Sequence, residues 1–195
     1  MLKTWPALCA ALAVASLAVW AGGPTAAAAL QWQAGTWMHQ PWTLFTSALV
    51  HLSGAHLLAN LLALGALAVL GGSLGAGRSA CIALLGAWPL GTLALLAWPG
   101  VTRYSGLSGL VHAAVAVLWA HAAIRGKAYP LSFVLFAALL FKLLSEHAWT
   151  TPVAFDTDWG FNVVYAAHLG GTLAGAGCGL IAAIWAWGLQ PGRQP

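Results

Sequence analysis

The chain reads as an all-α polytopic membrane protein, a bundle of six transmembrane helices, and three observations lead there. Its 195 residues are 61% hydrophobic and 5% charged, with a mean hydropathy of +0.85, far from the composition of soluble domains. Apolar runs recur that are long enough to cross ~30 Å of hydrocarbon at ~1.5 Å of rise per residue. Prolines at 24, 41, 99, 130 and 152 punctuate those runs. The runs fall at 5–22, 52–72, 80–98, 107–124, 131–149 and 163–188. They use most of the chain, so residues 1–195 are expected to form a single transmembrane domain.

Span one begins after Lys3 and is followed by Ala26-Ala27-Ala28-Ala29, features shared with cleavable secretory signals. The run is long, and cleavage would leave five spans with the new amino end outside, so an uncleaved anchor is expected. Span two opens with a polar cluster: His51, then His56 and Asn60, which stand four apart and share one helix face. Span three, 80–98, stops before Pro99. Span four is entered through Tyr104-Ser105-Gly106-Leu107-Ser108-Gly109, with His112 one turn further on. Span five carries Lys142 and Glu146, four apart on one face. Span six carries His168, then Gly171, Gly175 and Gly179 at every fourth position, a ridge without side chains that lets another helix approach closely.

The basic residues set an expected orientation. Lys3, Arg78, Arg125 with Lys127, and Arg193 share one side of a six-span chain, which the positive-inside bias makes cytoplasmic, both termini included. Arg103, Asp156 and Asp158 fall on the other side. The pI near 9.3 reflects this bias; no basic run is long enough to track phosphates, so no nucleic-acid partner is expected. Cys9, Cys81 and Cys178 are odd in number and scattered within spans, against a disulfide framework or a spaced metal site. Trp5, Trp42, Trp98, Trp149, Trp159 and Trp187 stand near span ends and are read as an interfacial belt.

A polar group inside a membrane helix is a functional hypothesis by default. Any one of them could be an interhelical hydrogen bond worth about 0.6–2 kcal/mol. His56, Asn60, Ser108, His112 and His168 all fall in the outer halves of their spans, however, which predicts one hydrated cavity open to the outside. If span four packs on the glycine face of span six, Ser108 and His168 come within hydrogen-bonding reach. A serine hydroxyl becomes a nucleophile when a base takes its proton, and histidine does so near neutral pH. Ser108 also lies in the first turn of its helix, where free N–H groups favour developing negative charge. Glu146 belongs to another helix and Asp156 and Asp158 to the last outer loop, so the pair is expected to work as a dyad without a carboxylate. The pattern Gly106-Leu107-Ser108-Gly109-Leu110 lacks the closing glycine of an α/β-hydrolase elbow.

His56-x-x-x-Asn60, Gly106-x-Ser108-Gly109 and Ala167-His168-x-x-Gly171-x-x-x-Gly175, in this order on spans two, four and six, resemble the rhomboid intramembrane serine proteases. Trp42-Thr43-Leu44-Phe45-Thr46 before span two is similar to the rhomboid approach to that helix. The resemblance implies a rhomboid-like bundle with Ser108 as nucleophile and His168 as its general base. His56, Asn60 and the Ser108 backbone N–H would form the oxyanion hole, and Gly106, Gly109, His112, Gly171 and Gly175 would support and pack the site, with no cofactor. The first outer loop, 23–41, is short for the family, and His112 replaces an aromatic residue that commonly stacks on the catalytic histidine. With the compact length and Phe141-Lys142-Leu143-Leu144-Ser145-Glu146, this is most similar to the rhombosortase branch. That branch implies a bacterial inner-membrane location and membrane-anchored protein substrates ending in Gly-Gly, a transmembrane helix and a basic tail.

Other readings are a general rhomboid protease, a non-catalytic rhomboid-like protein that binds membrane clients, and a metal or haem membrane protein using His51, His56, His112 and His168. The last leaves Ser108 and Asn60 without roles. Lys142 and Glu146 are read as a pair that lets two charges coexist in the bilayer, or else as a recognition or gating element of span five. The loop at 152–158 has no regular apolar period and directly precedes span six. It is expected to move aside with the top of span five to admit a substrate helix.

Overall fold

The structure, a computed structural model, describes residues 4–125 and 129–188. Lys3, Lys127 and Arg193, three of the residues that set the expected orientation, lie outside the described residues. The first helix, α1, runs Thr4–Ala21. Pro24 sits in the first turn of a second, short helix, α2 (Gly23–Leu30), in what the sequence suggested was a plain loop. A proline at the start of an alanine-rich stretch is pre-set for helix and loses no needed N–H. A two-residue strand, β1 (Trp32–Gln33), and a single helical turn, α3 (Thr43–Thr46), complete the segment that follows α1.

Ser53 starts the next helix. Its Oγ accepts the His56 backbone N–H at 3.2 Å and caps α4 (Gly54–Ser73). Helix α5 (Arg78–Leu93) tightens into a 3₁₀ turn, Ala94–Ala97, and ends with Trp98 extended before Pro99, the backbone a following proline favours. Strand β2 (Arg103–Tyr104) pairs antiparallel with β1, Trp32 opposite Tyr104. Then come α6 (Ser108–Arg125) and α7 (Tyr129–Glu146). A hairpin of β3 (Ala154–Asp156) and β4 (Phe161–Val163) turns at Gly160, whose φ of +74° suits glycine, and leads into α8 (Tyr165–Gly188). Among the described residues, five helices are long and apolar enough to span a bilayer.

Helix α6 is the shorter sixth, apolar over Ser108–Ile124. At ~1.5 Å per residue its apolar stretch falls a few ångströms short of a ~30 Å hydrocarbon layer. It is also the centre of the core, with Ala113, Ala114, Ala116, Val117, Leu118 and Ala120 fully buried. The glycine ridge of α8 lies against it as expected. A Cβ on Gly171 would collide with the Gly109 carbonyl oxygen, one on Gly175 with the Ala113 carbonyl, and one on Gly179 would sit 3.0 Å from the Val117 Cα. The adjoining face of α8 presses on α5, where a Gly170 Cβ would come 3.1 Å from the Gly91 carbonyl oxygen.

Trp5 is not part of the interfacial belt. It is fully buried, and its Nε1 donates to the Leu67 carbonyl at 2.9 Å, its ring filling the space where a Gly71 side chain would stand. The indole joins α1 to α4 through a polar handle that a buried tryptophan must satisfy.

Gly175→Val is expected to destabilise the detergent-solubilised protein by several kcal/mol, since the methyls would displace the α6 backbone. Gly177→Ala, which meets nothing within 4 Å, should leave the thermal midpoint unchanged or raised. Equal midpoints for the two variants would contradict the packing.

Candidate functional site

Three short contacts hold the approach to α6 in place. Gly106 donates its N–H to the Ser47 carbonyl at 3.0 Å, and the Tyr104 hydroxyl donates to the Gly106 carbonyl at 2.6 Å. Gln31 Nε2 donates to Ser105 Oγ at 2.8 Å. Gly106 has a φ of +123°, which disfavours other residues, and a Cβ there would strike the His56 ring at 2.8 Å. Gly109 is needed for closeness: its Cβ would meet the Tyr104 hydroxyl at 2.7 Å and the Ala167 carbonyl at 3.0 Å.

That approach delivers Ser108 to the first position of α6, and its Oγ lies 2.9 Å from His168 Nε2. The five polar residues expected to share a cavity do so. His56, Asn60, Ser108, His112 and His168 line one space of about 210 Å³, walled also by Tyr104, Lys142 and the β4 side of the hairpin. Asn60 Nδ2 donates to the His56 carbonyl at 3.0 Å, which uses one of its two N–H bonds and leaves the other. His112 stacks flat on His168, ring centres 4.3 Å apart and planes 9° from parallel, so an imidazole holds the stacking position. Its Nδ1 donates to the Ser108 carbonyl at 2.8 Å.

The expectation that no carboxylate accompanies the pair is overturned. Glu146, the last residue of α7, places its carboxylate oxygens 2.8 and 2.9 Å from His168 Nδ1. The residues stand 22 apart on different helices, and the hairpin between them brings the end of α7 to the start of α8. Lys142 Nζ lies 2.9 Å from Glu146 Oε1, the expected pair one turn apart. The Glu146 side chain is 5% exposed and that of Lys142 53%, so the carboxylate points inward while the lysine stem reaches out along the helix.

The sequence reading also missed the roof of the cavity. Trp159 was read as part of the belt and Phe161 was not singled out, yet their ring centres lie 5.8 and 5.1 Å from that of His56. The signal was present in Asp156. Its Oδ1 accepts the N–H groups of Asp158 and Trp159 at 2.9 and 3.3 Å, an aspartate-nucleated turn that folds the 152–158 loop into a hairpin.

The four-histidine metal set is not assembled. His51 and His56 form one pair and His112 and His168 another, and the residues whose donor atoms converge are His112, Glu146 and His168. Those fit an ion poorly. The stacked rings direct their lone pairs in parallel planes, both Nδ1 atoms are already hydrogen-bonded, and the Lys142 ammonium already pairs with the carboxylate.

Apolar helices of membrane-spanning length, with a serine–histidine pair in a cavity of about 210 Å³ between them, define an integral membrane protein. The family model described as the rhomboid domain matches residues 38–185, and the chain belongs to that family. It is 32% identical over 152 residues to the rhomboid protease GlpG of Pectobacterium atrosepticum, an alignment covering 75% of this chain. The chain spans about half the length of that relative, 49%.

Stacking between aromatic rings is worth about 0.5–1.5 kcal/mol, or roughly 2- to 13-fold in a rate. His112→Ala should therefore slow reaction of the Ser108 hydroxyl with a fluorophosphonate by that factor, and His112→Phe should restore most of it. Identical labelling rates for all three proteins would remove the stack from the account.

Proposed function

We propose that this protein is an intramembrane serine protease that cleaves membrane-anchored proteins near the outer face of the bilayer. The observation that carries the reading is the 2.9 Å contact between Ser108 Oγ and His168 Nε2, made at a helix amino terminus inside a cavity. In the reaction, His168 Nε2 takes the Ser108 hydroxyl proton as Oγ attacks the scissile carbonyl. The oxyanion is held by the Ser108 backbone N–H, the second Asn60 N–H and His56. His56 Nδ1 is buried without a hydrogen-bond partner among the described residues. An unpaired acceptor is better tolerated there than an unpaired donor, which leaves the proton on Nε2 for the oxyanion. His168 then returns its proton to the leaving amine, and water from the cavity releases the acyl group.

Substrate entry in this reading requires the β3–β4 hairpin and the outer end of α7 to part. Helix α7 supports that role, being the least buried of the candidate spans. With six crossings both ends of the chain face the cytoplasm, the cavity faces the periplasm, and the membrane is the bacterial inner membrane. Rhombosortase specificity, for tails with Gly-Gly, a transmembrane helix and basic residues, is the finer form of the proposal. Its support is His112 at the stacking position, the Lys142 and Glu146 charges of α7, and the aromatic residues that wall the cavity beside Ser108.

Ser108→Ala and His168→Ala should abolish cleavage of a Gly-Gly-tailed substrate by purified protein while leaving thermal stability nearly unchanged. Near wild-type cleavage by Ser108→Ala would sink the mechanism. Replacing the substrate's Gly-Gly by Leu-Leu should prevent cleavage; if it does not, the protein is a general rhomboid protease. Asn60→Ala should lower kcat by roughly 10- to 1000-fold with little change in KM, the behaviour of a donor that acts mainly on the transition state. A pure KM effect would reassign Asn60 to substrate binding.

A further inference from the structure

We infer that Glu146 is a positioning residue for His168, converting the Ser108–His168 pair into a three-membered relay with Lys142 behind it. The inference rests on the serine-protease reading. Three observations carry it. Both carboxylate oxygens approach His168 Nδ1, at 2.8 and 2.9 Å, while Nε2 faces Ser108 Oγ. The Glu146 side chain is buried, and a buried carboxylate needs a partner for its charge and its lone pairs. Lys142 Nζ, 2.9 Å from Oε1, supplies the countercharge.

The chemical consequence follows from donor and acceptor counting. A carboxylate only accepts, so Nδ1 must donate. A neutral imidazole has one N–H, which leaves the lone pair on Nε2, the atom aimed at Ser108. When Ser108 Oγ attacks, its proton moves to Nε2 and the ring becomes a cation. Nδ1 keeps its own proton, and Glu146 remains a carboxylate that offsets the new charge. The groups around His168 make that offset necessary. His112 from α6 is stacked on the ring, Tyr165 lies beside it on α8, and His56 of α4 lines the same cavity. None of them is an anion, and Glu146 is the one carboxylate in contact with His168 among the described residues.

Placement on α7 adds a second consequence. Helix α6 is locked to α8 by glycine contacts, but α7 touches α8 far less and is mostly exposed. Moving the outer end of α7 away would break the Glu146–His168 contact, so the relay is complete only when α7 is closed. Access for substrate and readiness of the base are thereby linked through one side chain.

The test compares wild type, Glu146→Gln and Glu146→Asp in cleavage of a tailed substrate, with thermal midpoints and ¹⁵N NMR of the His168 ring at a pH where it is neutral. Glu146→Gln should lower kcat by roughly 100- to 10,000-fold, as losing the orienting carboxylate does in serine proteases. KM and the midpoint should hold, and Glu146→Asp should recover part of kcat. In wild type the ring proton should reside on Nδ1. A kcat for Glu146→Gln within about threefold of wild type, or a wild-type ring protonated on Nε2, would overturn the inference. If the Gln variant fails to fold, the wild-type ring spectrum decides alone. Wild type that neither cleaves nor reacts with a fluorophosphonate would defeat the protease reading instead, while the ring spectrum would still report on the Glu146 contact.

Discussion

Backbone-to-backbone approach of α6 and α8 is the constraint on which everything else depends. Gly171 against Gly109 and Gly175 against Ala113 leave no room for a single methyl group. In a bilayer, burial from water does not drive helices together, so close van der Waals contact between small residues carries the association. The same contact fixes the chemistry. Ser108 opens α6 and His168 lies one turn before Gly171 on α8, so a packing that seats the glycines also brings the hydroxyl to the imidazole at 2.9 Å. Stability and site geometry therefore share one interface.

That sharing explains why so much was legible in the sequence. The succession of apolar helices follows from composition and length, and the four-residue glycine period names the face that meets α6. Polar residues at matching depths name the cavity, because an unpaired polar group in hydrocarbon is unfavourable and the groups must find one another. What could not be read were contacts set by three-dimensional approach. The charge pair on span five looked self-sufficient, since Lys142 and Glu146 satisfy each other on one helix face. Nothing in a linear reading shows that the carboxylate also has a second neighbour, His168, on α8. Trp5 and Trp159 sit where belt tryptophans sit, and only packing distinguishes an indole facing lipid from one filling a core or roofing a cavity. Helix α2 was concealed by Pro24, which reads equally as a loop marker and as a first-turn residue.

The buried charges show how a bilayer protein can hold a base. An isolated ion at such depth would be strongly unfavourable, and the structure answers with a chain of contacts: Lys142 at the exposed end, Glu146 inside, then His168 and Ser108. Each member satisfies the next, so the chain ends at the cavity on a hydroxyl that can give up its proton. The hairpin, pinned by the Asp156 turn, walls the same cavity with Trp159 and Phe161.

The most direct test of the account is the site of covalent modification. Ser105 and Ser108 both line the cavity, but only Ser108 contacts a histidine. Ser105 is instead held by Gln31. Labelling the protein with a fluorophosphonate and mapping the adduct by mass spectrometry should place it on Ser108 alone, with labelling lost in His168→Ala. An adduct on Ser105, or a label indifferent to His168, would contradict the account.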